Sequence, residues 1–446
     1  MLIRSRREFL RTAIQSVSAV GALGALSKFG EMNAMAAGSG YQALVCIFLT
    51  GGNDGHNTVI PIQTAQQGYG LYQSARGQLG LPQASLLTIH NGSDVYGLHP
   101  SLPEIQTLYN AGNAAVLANV GMLVKPIDKV LYNTNNSSII PNALFSHSDQ
   151  AGQWQTSIPT GLGNTGWGGR MADLLQPSNA GASFPAATST YGSSLFLTGK
   201  QTFAANVPSG SPTLLNYGGA VRQAGAQQLV TFDNGLQLVQ AANATLGRGL
   251  SYANALTGAL ADATVTAKFP QGNQLATQLE TVARIIKVRA ALGLSRQIFF
   301  CELDGFDTHS GQLSIQQGLL QQLSQAVAAF YQETQLQGVD SMVTTFTASE
   351  FGRSLTPNST GTDHAWGSHH FVIGTGVKGG QFFGQFPTLA LGSDYYATGT
   401  GALIPTSSVD QYGATLAQWF GVAPGSLPTI FPNIGNFPTA NLGILG

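Results

Sequence analysis

An α/β protein, with a mostly parallel central sheet sandwiched between helices, is what this sequence predicts, and three observations carry that reading. Residues 41–50, 298–303 and 341–347 are apolar runs of strand length with little alternation, as expected of strands buried on both faces. A helical pattern at 312–335 separates the last two, making a β-α-β unit of the kind that builds parallel sheets. The third observation is bulk: of 446 residues 43% are hydrophobic, enough for one large domain or two smaller ones.

The N-terminus is set apart from this pattern. Arg4-Ser5-Arg6-Arg7-Glu8-Phe9-Leu10 precedes a moderately apolar run from about 12 to 26, and Ala34-Met35-Ala36 follows. This order resembles a twin-arginine export signal over residues 1–36 with an A-x-A cleavage site, which implies a periplasmic or secreted protein, folded and loaded with any cofactor before transport. The apolar run is too short and too rich in Ala, Gly and Ser to span a membrane, so no membrane span is expected in the mature protein.

A single domain is expected over 41–446. Its first strand, 41–50, closes in Gly51-Gly52-Asn53-Asp54-Gly55, residues that tolerate positive φ in a tight turn. A helix at 102–109 and a strand at 114–120 continue the alternation; 126–165, rich in Asn, Ser and Gly, reads as irregular, and 169–175 as a helix. At about 195–270 the pattern changes to short polar pieces and a Gln/Ala-rich helix, read as a partly helical insertion covering the sheet edge. Leu275, Leu279, Val282, Ile285 and Ile286 recur near helical spacing within 272–292. After the β-α-β unit, 371–374 reads as a strand and 409–420 as the last helix.

Charge excludes one class of partner. Only 9% of residues are charged, the net charge is −1, and no basic run lies beyond the N-terminus, so nucleic acid is not expected. The two cysteines, Cys46 and Cys301, each sit inside an apolar run and read as small buried hydrophobes, a bridge requiring their strands to be neighbours.

With so few charges, acids and histidines just beyond buried strands stand out, because ligands of open α/β sheets bind at the carboxyl ends of strands. Asp307 and His309 stand two apart and project from one face if the strand stays extended, converging on a cation; the alternative is a turn, with His309 capping the next helix. Ser349-Glu350 fits a helix cap as well as a site, but a cap does not account for Arg353, Asp363-His364 and His369-His370 nearby. Asp54 follows the first strand, where Asn-Asp-Gly is ordinary turn chemistry and also a natural ligand position. Ser146-His147-Ser148-Asp149 mixes nucleophiles with a base, yet no G-x-S-x-G elbow is present, leaving a metal-activated serine as the better reading.

These motifs, with Phe48 to Pro61, Asp304 to His309, Ser349 to Ser354 and Gly361 to His364, resemble an exported family of unknown function grouped with the alkaline phosphatase and sulfatase superfamily. The resemblance covers roughly residue 41 to the C-terminus. It implies an alkaline-phosphatase-like fold and a two-metal hydrolase of small anionic substrates, phosphate or sulfate esters, using a divalent metal ion such as Zn, Ca or Mn. Carried across, Asp54 and Glu350 resemble ligands of one metal and Asp307, His309 and His364 those of the other. Ser148, with Ser146 its rival, resembles the nucleophile, and Arg353 an anion-binding catalytic group. The chain departs from the superfamily at Glu350-Phe351-Gly352, where Asp-His-Gly is usual, so one imidazole is missing and His369, His370 or Asp363 is its candidate replacement. That departure leaves a second expectation beside hydrolysis, a binding protein that keeps the fold without the chemistry, and a third, a phosphomutase-type transferase, which export disfavours.

Overall fold

The computed structural model describes residues 40–210, 219–261 and 263–446. The expected signal peptide at 1–36 lies outside them. Twelve strands are present among the described residues: β1 Gln42–Thr50, β2 Val59–Gln63, β3 Leu87–Asn91, β4 Asp94–Leu98, β5 Ala114–Gly121, β6 Ala187–Ser189, β7 Ala205–Asn206, β8 Arg296–Asp304, β9 Val343–Ala348, β10 Ser368–Ile373, β11 Phe382–Gly384 and β12 Ser407–Ser408. Nine form the central sheet in the order β11-β5-β10-β9-β1-β8-β6-β7, with β12 pairing β5. Every pairing in it is parallel except those of β10, which runs against both β5 and β9. A small antiparallel sheet, β2-β4-β3, is an element the sequence reading lacks.

The helices lie on both faces, as the apolar strand pattern requires. Ala43, Val45, Ile47 and Leu49 of β1 join a core shared with helices Gln274–Lys287 and Gln312–Leu336, while Leu44, Cys46 and Phe48 join another shared with Trp167–Leu174 and Val409–Trp419. Alternate side chains of one strand thus feed two cores, the arrangement expected of a sheet covered on both sides. Cys46 and Cys301 belong to different cores, so although β1 and β8 are neighbours the thiols face opposite ways and both are free.

Three departures from the expected elements bear on the site. The stretch expected to be irregular contains helix His147–Thr156. β10 begins at Ser368, so His369 and His370 are buried strand residues rather than loop. No helix follows Ser349, and helix Gln312–Leu336 has Gly311 as N-cap, so neither Ser349 nor His309 caps a helix. In the region read as an insertion, helix Gln237–Leu260 buries Leu256 and Leu260 against the first core. No helix among the described residues is long and apolar enough to cross a membrane.

Sheet order does the positioning. With β9, β1 and β8 adjacent and parallel, the segments after Thr50, Asp304 and Ala348 emerge side by side, and antiparallel β10 brings the residues before Ser368 to the same edge. Gly51, at φ 112°, is where the turns touch: a Cβ there would lie 2.2 Å from the Asp307 backbone nitrogen, so only glycine fits.

Candidate metal centre

His147, Asp307 and His364 form a group whose donor atoms all lie within 4.8 Å of one another. Asp307 comes from the loop after β8, His364 from the approach to β10, and His147 from the first residue of helix His147–Thr156. The Nε2 atoms of His147 and His364 are 3.1 Å apart, with Asp307 Oδ2 3.4 Å from the first and Oδ1 3.2 Å from the second. His309 adjoins them, its Nε2 2.9 Å from His364 Nε2 and 3.1 Å from Asp307 Oδ1. These side chains are 21–47% exposed, so the group is open to solvent.

The far side of each ring has a hydrogen-bond partner that orients it. His147 Nδ1 lies 3.0 Å from Glu350 Oε1 and His364 Nδ1 lies 2.7 Å from the Phe145 carbonyl oxygen. Both partners accept, so each Nδ1 is the nitrogen placed to donate, and each Nε2 is the atom turned toward the other ring and toward Asp307. Nε2 atoms and a carboxylate at these separations need a proton or a metal ion among them, and a metal ion would take the place of the shared proton. Two imidazoles and one carboxylate, with an open solvent side, are the donor set of a catalytic zinc-type site, and carbonyl or carboxylate partners behind ligating imidazoles are its usual support.

The surroundings hold this arrangement. Phe351 is fully buried, its ring 4.6 Å from that of His364 and 4.8 Å from that of His147, so the aromatic side chain in place of an imidazole is a wall for the two histidines. Arg353, also buried, donates Nε to Gly52 O (3.0 Å), Nη1 to Thr362 O (3.0 Å), and Nη2 to Gly51 O and Asp307 Oδ1. Partial burial alone would raise the Asp307 pKa; hydrogen bonding to Arg353 and its charge outweigh that, and with help from His364 and His147 hold the carboxyl down at about 2. Asp307 is therefore ionised, as a ligand must be. Burial foremost pushes the His364 pKa below its ordinary value, favouring the neutral ring.

The expected site residues thus divide. Asp307, His309 and His364 come together. Glu350 reaches the group through His147 and also accepts from Gly51 N at 2.7 Å. Asp54 makes none of these contacts: it caps helix Gly55–Thr58, Oδ1 accepting from His56 N (2.9 Å) and Asn57 N (3.4 Å), while Oδ2 accepts from Arg76 Nη2 and Gln312 Nε2. Ser148 is exposed, its Oγ 3.4 Å from both Ser146 Oγ and Asp149 Oδ2. Neither Asp54 nor Glu350 is among its hydrogen-bond partners, and Ser148 lines a cavity of about 380 Å³ with Asn142, Asp149 and Gln153. Arg353 is a brace for turns and carboxylate rather than an exposed anion clamp. Asp363 lies at the margin, Oδ1 3.7 Å from His309 Nδ1, and His369 and His370 are buried in β10.

His147 is the ligand candidate that the sequence does not single out. It stands in a stretch with no strand before it, and its tetrapeptide draws notice to the serines. The available signal was its place beside Ser146 at a possible helix start.

Residues 41–405 match the model of a family described as a protein of unknown function (DUF1501). No curated protein matches the chain. Among solved structures, the chain is similar to the lipoteichoic acid synthase LtaP from Listeria monocytogenes at 8% identity, covering 86% of this chain and 73% of that one with a TM-score of 0.34. It is similar to BT1596, a 2-O GAG sulfatase, at 10% identity, 88% and 74% coverage and a TM-score of 0.34. For alkaline phosphatase from the Antarctic bacterium TAB5 the figures are 11%, 76%, 92% and 0.28. Likenesses this distant say nothing about chemistry.

Proposed function

The chain belongs to the DUF1501 family, whose description assigns no activity, and from its site we propose that it is a metal-dependent hydrolase of phosphate or sulfate esters. The single observation behind this is the pair of Nε2 atoms, on His147 and His364, turned toward each other and toward Asp307 by hydrogen bonds at the opposite ring nitrogens. A divalent ion held there supplies Lewis acidity, lowering the pKa of water and offsetting charge that develops on phosphoryl or sulfuryl oxygens.

The chain's own groups would do the rest. His147, Asp307 and His364 hold the ion, with His309 at the open side. The helix start that carries His147 adds a partial positive charge favourable to an anion. Because Ser148 bonds to Ser146 and Asp149, attack by water rather than by the serine fits this geometry best. Export through the twin-arginine route, and a periplasmic or secreted location, belong to the same proposal and rest on the N-terminal motif alone.

The test is metal content of the purified protein together with turnover of a phosphate-ester and sulfate-ester panel before and after chelation. The expected result is turnover that chelation abolishes and metal restores. Protein that neither carries nor takes up metal would sink the proposal. A second reading, a binding protein without chemistry, is favoured by Arg353 being engaged with backbone carbonyls and Asp307; bound metal without turnover of any ester would support it.

A further inference from the structure

We infer that the centre takes one metal ion and not two, and that Asp54 and Glu350, the carboxylates after β1 and β9, are internal supports rather than ligands. The inference rests on the proposed metal reading only in requiring that an ion bind at all.

Asp54 has no acceptor capacity to offer. It is 2% exposed; two backbone N–H groups face Oδ1 and the Arg76 guanidinium and Gln312 amide face Oδ2. Arg76 is itself fully buried and fixed, Nη1 donating to the carbonyls of Ser354 and Leu355 at 3.1 Å. A positive charge already neutralises Asp54. An ion there would have to displace a fully buried guanidinium, and an uncompensated buried charge is strongly unfavourable.

Glu350 is committed in another way. It is 1% exposed, and Oε1 receives both Gly51 N–H and His147 Nδ1–H, while Oε2 lies 3.4 Å from Ser349 Oγ. Binding an ion through Oε1 would cost the hydrogen bond that orients the His147 ring. Such partners behind a ligating histidine typically change metal affinity by about 10- to 100-fold when removed. The other buried histidines supply no alternative, since His147, Asp307 and His364 are the one group among the described residues that gathers three donor atoms.

Full-length protein would be saturated with Zn²⁺ or Mn²⁺, desalted, and its metal counted by elemental analysis and native mass spectrometry. One equivalent per chain is expected, and two would overturn the inference while leaving the proposed function standing. None at all would overturn the metal centre itself and this inference with it. Two variants separate support from ligand. Glu350→Gln keeps an Oε1 that can accept from Gly51 N–H and His147 Nδ1–H but loses the carboxylate charge behind the imidazole, so it should keep one equivalent and the same imidazole signature in X-ray absorption while affinity falls about 10- to 100-fold. Asp54→Asn should lower the melting temperature and leave stoichiometry and affinity unchanged. Loss of an oxygen ligand in the first variant, or of one equivalent in either, would overturn the assignment, and a poorly folding Asp54→Asn leaves the Glu350 arm to decide.

Discussion

Arg353 Nη2 donates to Asp307 Oδ1, the same oxygen that lies 3.2 Å from His364 Nε2 and 3.1 Å from His309 Nε2. A buried guanidinium therefore aims one carboxylate oxygen at two imidazoles while its other donors hold the carbonyls of Gly51, Gly52 and Thr362. A lysine keeps the charge but not the planar fork that reaches all four acceptors. Arg353→Lys is expected to weaken metal binding about 10- to 100-fold in isothermal titration and to lower the melting temperature. Unchanged affinity would show that Arg353 braces the turns alone.

How far the sequence discloses this centre depends on which force places each residue. Asp307 and His309 are legible because β8 is an unbroken apolar run, and its end can be located from hydrophobic pattern alone. His364 is legible as part of a histidine cluster, but its placement depends on β10, whose Ser368, His369 and His370 look polar and are buried by neighbours rather than by their own hydropathy. His147 is not legible as a ligand, since what brings it there is the packing of Trp154 and its helix beneath the sheet, a long-range contact without local signature. Asp54 misleads for the opposite reason. Its local turn is as expected, and only the distant Arg76 and Gln312 reveal that the carboxylate is engaged.

Phe351 tests whether the wall behind the histidines matters. It is fully buried against both rings, and a Cβ on Gly52 would come within 2.4 Å of its ring, so the fit is close. Phe351→Ala should cost about 3–5 kcal/mol in urea unfolding and loosen both rings. Metal affinity should fall in the same variant. Lost stability with full affinity would mean that the rings are held by their hydrogen bonds without the wall.

Acid should weaken the fold well above the pH at which carboxylates protonate. Burial first, and a basic neighbour second (Arg76 for His56, His56 for His369, His369 for His370), push His56, His369 and His370 down to about 3, against about 6.5 for an unfolded chain. A depressed folded value means each ring is neutral in the fold and takes up a proton on unfolding. Their contribution is whole above about pH 6.5 and is lost as pH falls toward 3, by about 1.4 kcal/mol per pH unit for each. Urea unfolding at pH 7.5, 6 and 5 should show the decline. His56→Leu, which removes two unpartnered buried nitrogens, should flatten it by about one proton. A stability that stays level from pH 7 to 5 would contradict the prediction.

Ser148 separates two chemistries at one site. It is exposed, shares Asp149 Oδ2 with Ser146, and lines the cavity, whereas the residue before it points into the metal group. A serine that attacks forms a covalent ester, and where that ester breaks down more slowly than it forms, turnover begins with a burst that approaches the enzyme concentration. Attack by water gives no burst and leaves the serine a minor contact. Ser148→Ala should therefore retain metal at the level of the parent protein, lose less than about tenfold in kcat, and match the parent in showing no burst with a chromogenic ester. Abolished turnover with full metal content would restore Ser148 as the nucleophile, and would require the first turn of its helix to rotate toward the ion when substrate binds.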